Sequence, residues 1–158
     1  LDCYKEEMHL AIIIILTIVI LDQLIKYWAS NYLQPKGTIR IIKDFFSLTY
    51  VENRGAAFGI LQNQRWLFIT LTIIICIGMM YYLYMDTNLN PILRVSLYLV
   101  LGGAIGNLID RIKNGYVVDM FHFTFINFPV FNVADCFVVI GTVMLAYYLL
   151  FIEGKSIE

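Results

Sequence analysis

The sequence predicts an all-α membrane protein in which four transmembrane helices carry a small β-sheet at the membrane surface. Of the 158 residues, 60% are hydrophobic and only 15% are charged, against roughly 25% charged in soluble proteins. The mean hydropathy of +0.75 leaves too little polar surface to cover a water-soluble globule. Four apolar runs also have the roughly 20 residues that a helix needs to cross a bilayer.

The four predicted helices cover about residues 9–28, 66–85, 91–111 and 132–152. The first run contains Asp22 and Lys26, but its many Ile, Leu and Val residues offset the cost of inserting these charges. A cleaved signal peptide is the alternative for this run, and it is disfavoured because a cationic flank and an A-x-A cleavage site are both missing. We therefore expect one integral-membrane domain over residues 1–158.

Two connections between the helices predict the sheet. The connection over about residues 30–65 is too long to be a simple linker. Within it, residues 39–41 and 46–50 alternate between apolar and polar side chains, as a half-buried strand does. The connection over about residues 112–131 repeats this pattern at 121–125, so a small sheet built from both connections is expected.

Composition and motifs exclude several classes of site. The net charge is −1 and the Lys and Arg residues are scattered, so nucleic acid is not an expected partner. The three cysteines form no CxxC pair, and the two histidines are too far apart in the sequence for a convincing zinc site. No phosphate-binding GxxxxGK[ST] loop is present. We expect no metal and no cofactor.

The polar residues of the helices gather at one end of the predicted bundle. If the four helices run antiparallel, that end holds Asp22, Lys26, Asn53, Arg54, Asn107, Asp110, Arg111, Asp119, Asn132 and Asp135. Asp22 and Lys26 are four residues apart and can pair on one helix face, and Asn132 can cap the fourth helix. The small residues at 102, 103 and 106 favour close helix packing.

Asp119 and Asp135 have no obvious local partner, because apolar residues surround both in the sequence. Two carboxyl groups held close together share one proton, since burial and like-charge repulsion raise one pKa while the other group stays ionised. An aspartic protease uses such a pair to activate water and to protonate the peptide carbonyl. The alternative is a small proton-relay or carrier membrane protein that uses the same buried acids. The sequence does not define which of the two holds the proton.

Five blocks of the sequence together resemble the lipoprotein signal peptidase family, bacterial signal peptidase II. They are DQLIKYW at 22–28, NRGAAFG at 53–59, GGAIGNLIDR at 102–111, VVD at 117–119 and FNVAD at 131–135. The blocks occur in the order of the family and span nearly the whole chain.

This resemblance implies a four-helix membrane protease with a small extracytoplasmic β-sheet, which works without a metal. It implies that Asp119 and Asp135 are the catalytic dyad. Roles in supporting the site or binding substrate are expected for Asn53, Gly55, Asn107, Arg111, Asn132, Asp22 and Lys26.

The implied substrate is a prolipoprotein with a diacylglyceryl-modified Cys, which the enzyme cuts immediately before that Cys. The resemblance places the protein, expected to be a monomer among membrane lipids, in the bacterial cytoplasmic membrane with its active site near the extracytoplasmic face. The connection over 30–65, with Gly55 and Gly59, is expected to close over the site as a lid. The distribution of Lys and Arg favours the reverse orientation by the positive-inside rule.

Overall fold

A computed structural model describes residues 2–55, 60–86 and 88–153 of the chain, with side chains from residue 8 onward. Four helices, each long and apolar enough to cross a membrane, confirm the predicted bundle. They are α1 (Asp2–Trp28), α2 (Arg65–Met85), α3 (Pro91–Lys113) and α4 (Val133–Phe151), and the strands are β1 (Thr38–Ile42), β2 (Phe46–Asn53) and β3 (Val117–Phe123).

The first helical segment extends further than its apolar run predicts. After Trp28 the chain continues as a π-helical turn over Ala29–Leu33 and a 3-10 turn over Gln34–Lys36, so the connection predicted to begin at residue 30 begins seven residues later, at Gly37. Ala29 and Leu33 are fully buried in a cluster with side chains of β3. Tertiary packing therefore keeps this stretch helical until Gly37, whose φ of +76° suits a glycine.

The three strands form an antiparallel sheet in the order β1-β2-β3. The strands predicted around residues 39–41 and 46–50 are confirmed. The third strand begins earlier than its predicted alternation, at Val117, and ends at Phe123. Residues 117–120 are all buried, and a strand buried on both faces shows no alternation to read from the sequence.

The stretch predicted to form a lid contains a shorter connection than the sequence indicated. Most of the stretch over 30–65 is helix or strand, so residues 54–64 alone join β2 to α2. Gly55 lies at the start of this connection, whereas Gly59 and its neighbours from 56 lie outside the described residues.

Helix α3 is the centre of the bundle, and α1, α2 and α4 all pack on it. The predicted close packing at residues 102, 103 and 106 is confirmed. Gly102 faces Ile18 of α1, and Gly103 faces the carbonyl oxygen of Ala134 in α4. A Cβ on Gly106 would lie 2.7 Å from a carboxylate oxygen of Asp22. The glycines thus bring α1 and α4 against the end of α3 that carries polar residues.

Replacement of Gly103 by Ala should destabilise the bundle, because the new methyl group would overlap the Ala134 carbonyl and the Val138 side chain. We expect a loss of about 1–3 kcal/mol in the free energy of unfolding, measured by thermal unfolding in detergent micelles. Gly78→Ala is the matched control, since a Cβ there meets nothing within 4 Å. Equal losses in the two variants would contradict the packing account.

Candidate active site

The polar end of the bundle is organised around the ammonium group of Lys26. Its Nζ lies 2.9 Å from Asp22 Oδ2, which confirms the predicted ion pair, and 3.2 Å from Asp110 Oδ2. It also donates a hydrogen bond of 2.8 Å to Asn107 Oδ1. All three charged side chains are at most 3% exposed. Such buried charges are tolerated only when they are paired and hydrogen-bonded.

Lys26, Asp22 and Asp110 form a buried charged triad. Each carboxylate of this triad also binds a backbone N–H of another element. Asp22 Oδ1 accepts from the N–H of Ala134 in the first turn of α4 at 2.9 Å. Asp110 Oδ2 accepts from the N–H of Val118 in β3 at 3.0 Å. Gln23 Nε2 lies between the two carboxylates and donates to Asp110 Oδ1 at 3.1 Å. The triad therefore joins α1, α3, α4 and the sheet.

Asp135 lies in the first turn of α4 and forms a capping box with Asn132. The Asp135 N–H donates to Asn132 Oδ1 at 2.9 Å, and the Asn132 N–H donates to Asp135 Oδ2 at 3.2 Å, which confirms the predicted cap. The other carboxylate oxygen of Asp135 accepts from Asn107 Nδ2 at 2.7 Å. A helix N-terminus favours negative charge, so both the donors and the dipole stabilise an ionised Asp135.

Asp119 projects from β3 and is 1% exposed. Its Oδ1 accepts from Asn132 Nδ2 at 2.6 Å, and its Oδ2 accepts from Asn53 Nδ2 at 2.9 Å. The N–H of Gly55 holds the Asn53 side chain from the other side at 3.0 Å. Burial, and then the negative charge of Asp135, raise the pKa of Asp119 to about 7.

One cavity of about 660 Å³ brings six of the nine predicted site residues together. Its polar wall carries Asn53, Gly55, Asn107, Arg111, Asp119 and Asp135. The other three lie outside this lining. Lys26 and Asn132 contact the polar wall by hydrogen bonds, and Asp22 binds the N–H of Ala134, the residue before Asp135. Two carboxyl groups thus face one space, and amide groups hold them in place.

Most of the remaining lining of the cavity is apolar. It is formed by Phe123, by residues 128–131 and by residues 138–140 of α4. Val139 is 61% exposed and Ile140 is 49% exposed, so the cavity reaches the outer face of an apolar helix that is able to span the membrane. The polar wall is therefore open toward the apolar outer face of α4.

Arg111 is the cation on this cavity wall within the described parts of the chain. Its Nη2 donates to the Gly55 carbonyl at 3.4 Å, and its guanidinium group lies 4.9 Å from the centre of the Phe68 ring. Arg65 donates to the Arg111 carbonyl at 2.8 Å and to the Ile112 carbonyl at 2.6 Å. The start of α2 therefore supports the end of α3, where Arg111 is placed.

The sequence analysis did not identify two residues that support the site, Gln23 and Arg65. Gln23 lies three residues before Lys26 on the same helix face, and that spacing was a usable signal. Arg65 gave no signal, because its partners lie 46 and 47 residues away. Within residues 2–55, 60–86 and 88–153, no three His, Cys, Asp or Glu side chains are grouped so as to hold a metal ion.

Known proteins share both the sequence and the fold. The family model for Signal peptidase (SPase) II matches residues 14–151. A lipoprotein signal peptidase from Caldanaerobacter subterraneus subsp. tengcongensis is 50% identical over 146 residues, which cover 92% of this chain and 99% of the relative. One from Clostridioides difficile is 50% identical over 147 residues, which cover 93% and 99%.

Two solved structures, both of bacterial membrane enzymes, have the same fold. The first superposes with a TM-score of 0.84 at 35% identity and covers 90% of this chain and 88% of its own. The second gives 0.82 at 34% identity, with 91% and 94% covered. These likenesses and the four helices that can span a membrane indicate a multi-pass bacterial membrane protein. The chain belongs to the signal peptidase II family.

Proposed function

We propose that the protein is an intramembrane aspartic endopeptidase, with Asp119 and Asp135 as its catalytic residues. It removes the signal peptide from diacylglyceryl-modified prolipoproteins by cutting immediately before the lipidated Cys. The observation that carries the proposal is that these two acids line one cavity while the other buried acids are paired with Lys26. The names of the relatives, lipoprotein signal peptidases, support the substrate class.

The two acids have different surroundings, which favours a single shared proton on Asp119. Asp135 is stabilised as an anion by the first turn of α4 and by donors at both oxygens. Asp119 is more deeply buried, and its raised pKa of about 7 keeps it protonated at neutral pH for part of the time. The acidities that an experiment measures belong to the pair rather than to either residue.

The reaction then follows general acid–base catalysis. Ionised Asp135 takes a proton from a water molecule as the water oxygen bonds to the scissile carbonyl carbon. Protonated Asp119 gives its proton to the carbonyl oxygen, which forms a neutral gem-diol. When the C–N bond breaks, Asp135 returns its proton to the leaving nitrogen, and Asp119 recovers a proton from the gem-diol as the new carboxyl group forms.

The remaining wall residues hold the substrate. Asn53 and Arg111 carry N–H donors and line the cavity, where they bind carbonyl groups of an extended peptide. The apolar wall along α4 accommodates the acyl chains and the signal helix, which reach the site sideways from the bilayer. One chain supplies all the polar contacts described above, so we propose that the enzyme acts as a monomer among membrane lipids.

We propose that the site faces the outside of the cytoplasmic membrane, although the basic residues favour the reverse orientation. Several of these cations are engaged by the fold. Arg54 pairs with Glu52 at 2.8 Å, Arg65 binds helix carbonyls, and Lys36 lies 3.6 Å from the centre of the Tyr32 ring. Cations with such structural roles are a weak guide to orientation.

Asp119→Asn and Asp135→Asn should each lower kcat/KM for signal-peptide release by roughly 10²–10⁴-fold, because each removes a proton-transfer group. The assay uses the purified protein with diacylated and unmodified precursor, and mass spectrometry locates the cut. Wild type should cut the diacylated precursor alone, directly before the modified Cys.

Asp44→Asn is the matched control for that assay, since it makes the same change at an exposed turn of the sheet. It should cleave at the wild-type rate. Normal turnover by either dyad variant, or proton flux through vesicles without any cleavage product, would contradict the peptidase proposal.

Asp119 should make the stability of the protein depend on pH. An unfolded Asp releases its proton near 3.8, whereas folded Asp119 keeps it until about pH 7. The folded state therefore binds more protons in this range, so the contribution of Asp119 to stability falls as the pH rises from about 4 to about 7. Asp119→Asn lacks this pH-dependent contribution to stability, so its melting temperature should rise relative to that of wild type as the pH increases over that range. A constant difference across the range, like that expected for Asp44→Asn, would argue against a protonated Asp119.

Cysteine labelling tests the orientation. In a background where Cys3, Cys76 and Cys136 are replaced by Ser, a membrane-impermeant maleimide should label Lys43→Cys in intact cells and leave Asn88→Cys protected. Lys43 lies in the turn between β1 and β2, and Asn88 lies in the connection at the other end of the bundle. The reverse labelling pattern would overturn the proposed face.

A further inference from the structure

We infer that Lys26 is a positioning residue for the proposed dyad, and that it acts on Asp135 by fixing the orientation of the Asn107 amide. This inference rests on the proposed function and deepens it. Lys26 does not line the cavity. It reaches Asp135 through a single intervening side chain, that of Asn107.

The ammonium group of Lys26 has three hydrogens and three acceptors. An ammonium group only donates, and here its acceptors are Asp22 Oδ2, Asp110 Oδ2 and Asn107 Oδ1 at 2.9, 3.2 and 2.8 Å. The two carboxylates are themselves tied to backbone N–H groups. The donor that faces Asn107 is therefore fixed in space by the ion pairs.

This donor determines which way the Asn107 amide faces. Its Oδ1 accepts from Lys26 at 2.8 Å and from Asn132 Nδ2 at 3.1 Å, and its Nδ2 donates to Asp135 Oδ1 at 2.7 Å. A flipped amide would place its NH₂ group against two donors and its oxygen against the Asp135 carboxylate. Lys26 thus forces Asn107 to present a donor to Asp135.

The same triad fixes the backbone next to each proposed catalytic acid. Asp22 binds the N–H of Ala134, the residue before Asp135. Asp110 binds the N–H of Val118, the residue before Asp119. Both acids are therefore placed relative to one ion cluster, and a misplacement of about 1 Å can cost roughly 10²-fold in rate.

Two variants separate positioning from stability. Asp22→Asn/Lys26→Met removes one positive and one negative charge, so the buried net charge is unchanged while Asn107 loses its Lys26 donor. Lys26→Arg keeps the charge and moves the donor. We expect kcat to fall about 10–100-fold in the double variant. Its KM should stay within roughly twofold of the wild-type value, because Lys26 does not contact substrate. In Lys26→Arg, kcat should fall less than in the double variant.

The pH profile of kcat gives a second readout. This profile would stay unchanged if Lys26 had only a structural role. The charged groups acting on Asp119 are Asp135 from α4 and Lys26 from α1, and Arg111 from α3 interacts with both acids. The positive charge of Lys26 lowers the pKa of Asp119. Its removal in the double variant should raise that pKa and shift the alkaline limb, where Asp119 loses its proton, to higher pH. Lys36→Met, which removes an exposed cation, is the control for both readouts.

The outcomes distinguish this inference from the proposed function. Failure of wild type to cleave the diacylated precursor, or normal cleavage by Asp119→Asn, would overturn the proposed function itself. If those tests succeed, wild-type kcat and pH profile per folded molecule in the double variant would overturn the positioning role. If the double variant does not fold, Lys26→Arg carries the test, and wild-type kcat in that variant would overturn the inference.

Discussion

The structure depends on the contact of one buried ammonium group with three acceptors. Lys26 holds Asp22, Asp110 and Asn107 within 3.2 Å, in a region where an unpaired charge costs several kcal/mol. The two carboxylates also bind backbone N–H groups in the first turn of α4 and in β3, so these elements are held in place relative to Lys26. The glycines of α3 make the arrangement possible, because they allow α1 and α4 to approach closely enough for these bonds to form.

The acidic residues at this end of the bundle fall into two classes with different partners. The negative charges of Asp22 and Asp110 are paired with Lys26, and these two residues stabilise the fold. Asp119 and Asp135 are held by neutral amides from Asn53, Asn107 and Asn132. Amide donors fix the position of a carboxyl group without neutralising its charge. This is the property that a proton-sharing pair requires, and it supports the assignment of catalysis to the second class.

Much of this fold was readable from the sequence, because the bilayer imposes a length on each helix and local contacts have fixed spacings. The Asp22–Lys26 pair and the cap at Asn132 are such local contacts. Contacts between distant parts of the chain leave no periodic signal: Lys26 meets Asn107 over 81 residues and Arg65 meets Arg111 over 46. The helical turns after Trp28 exist because Ala29 and Leu33 pack under the sheet, which the hydropathy pattern does not report.

The central claim is that Asp119 and Asp135 share one proton at neutral pH, and infrared spectroscopy tests it most directly. Protein labelled with ¹³C at the aspartate carboxyl groups is titrated, and the band of the protonated carboxyl group is followed. The account predicts a protonated band that is absent from Asp119→Asn and disappears in wild type as the pH passes about 7. A wild-type spectrum identical to that of Asp119→Asn from pH 5 to pH 7, with both groups fully ionised, would contradict it.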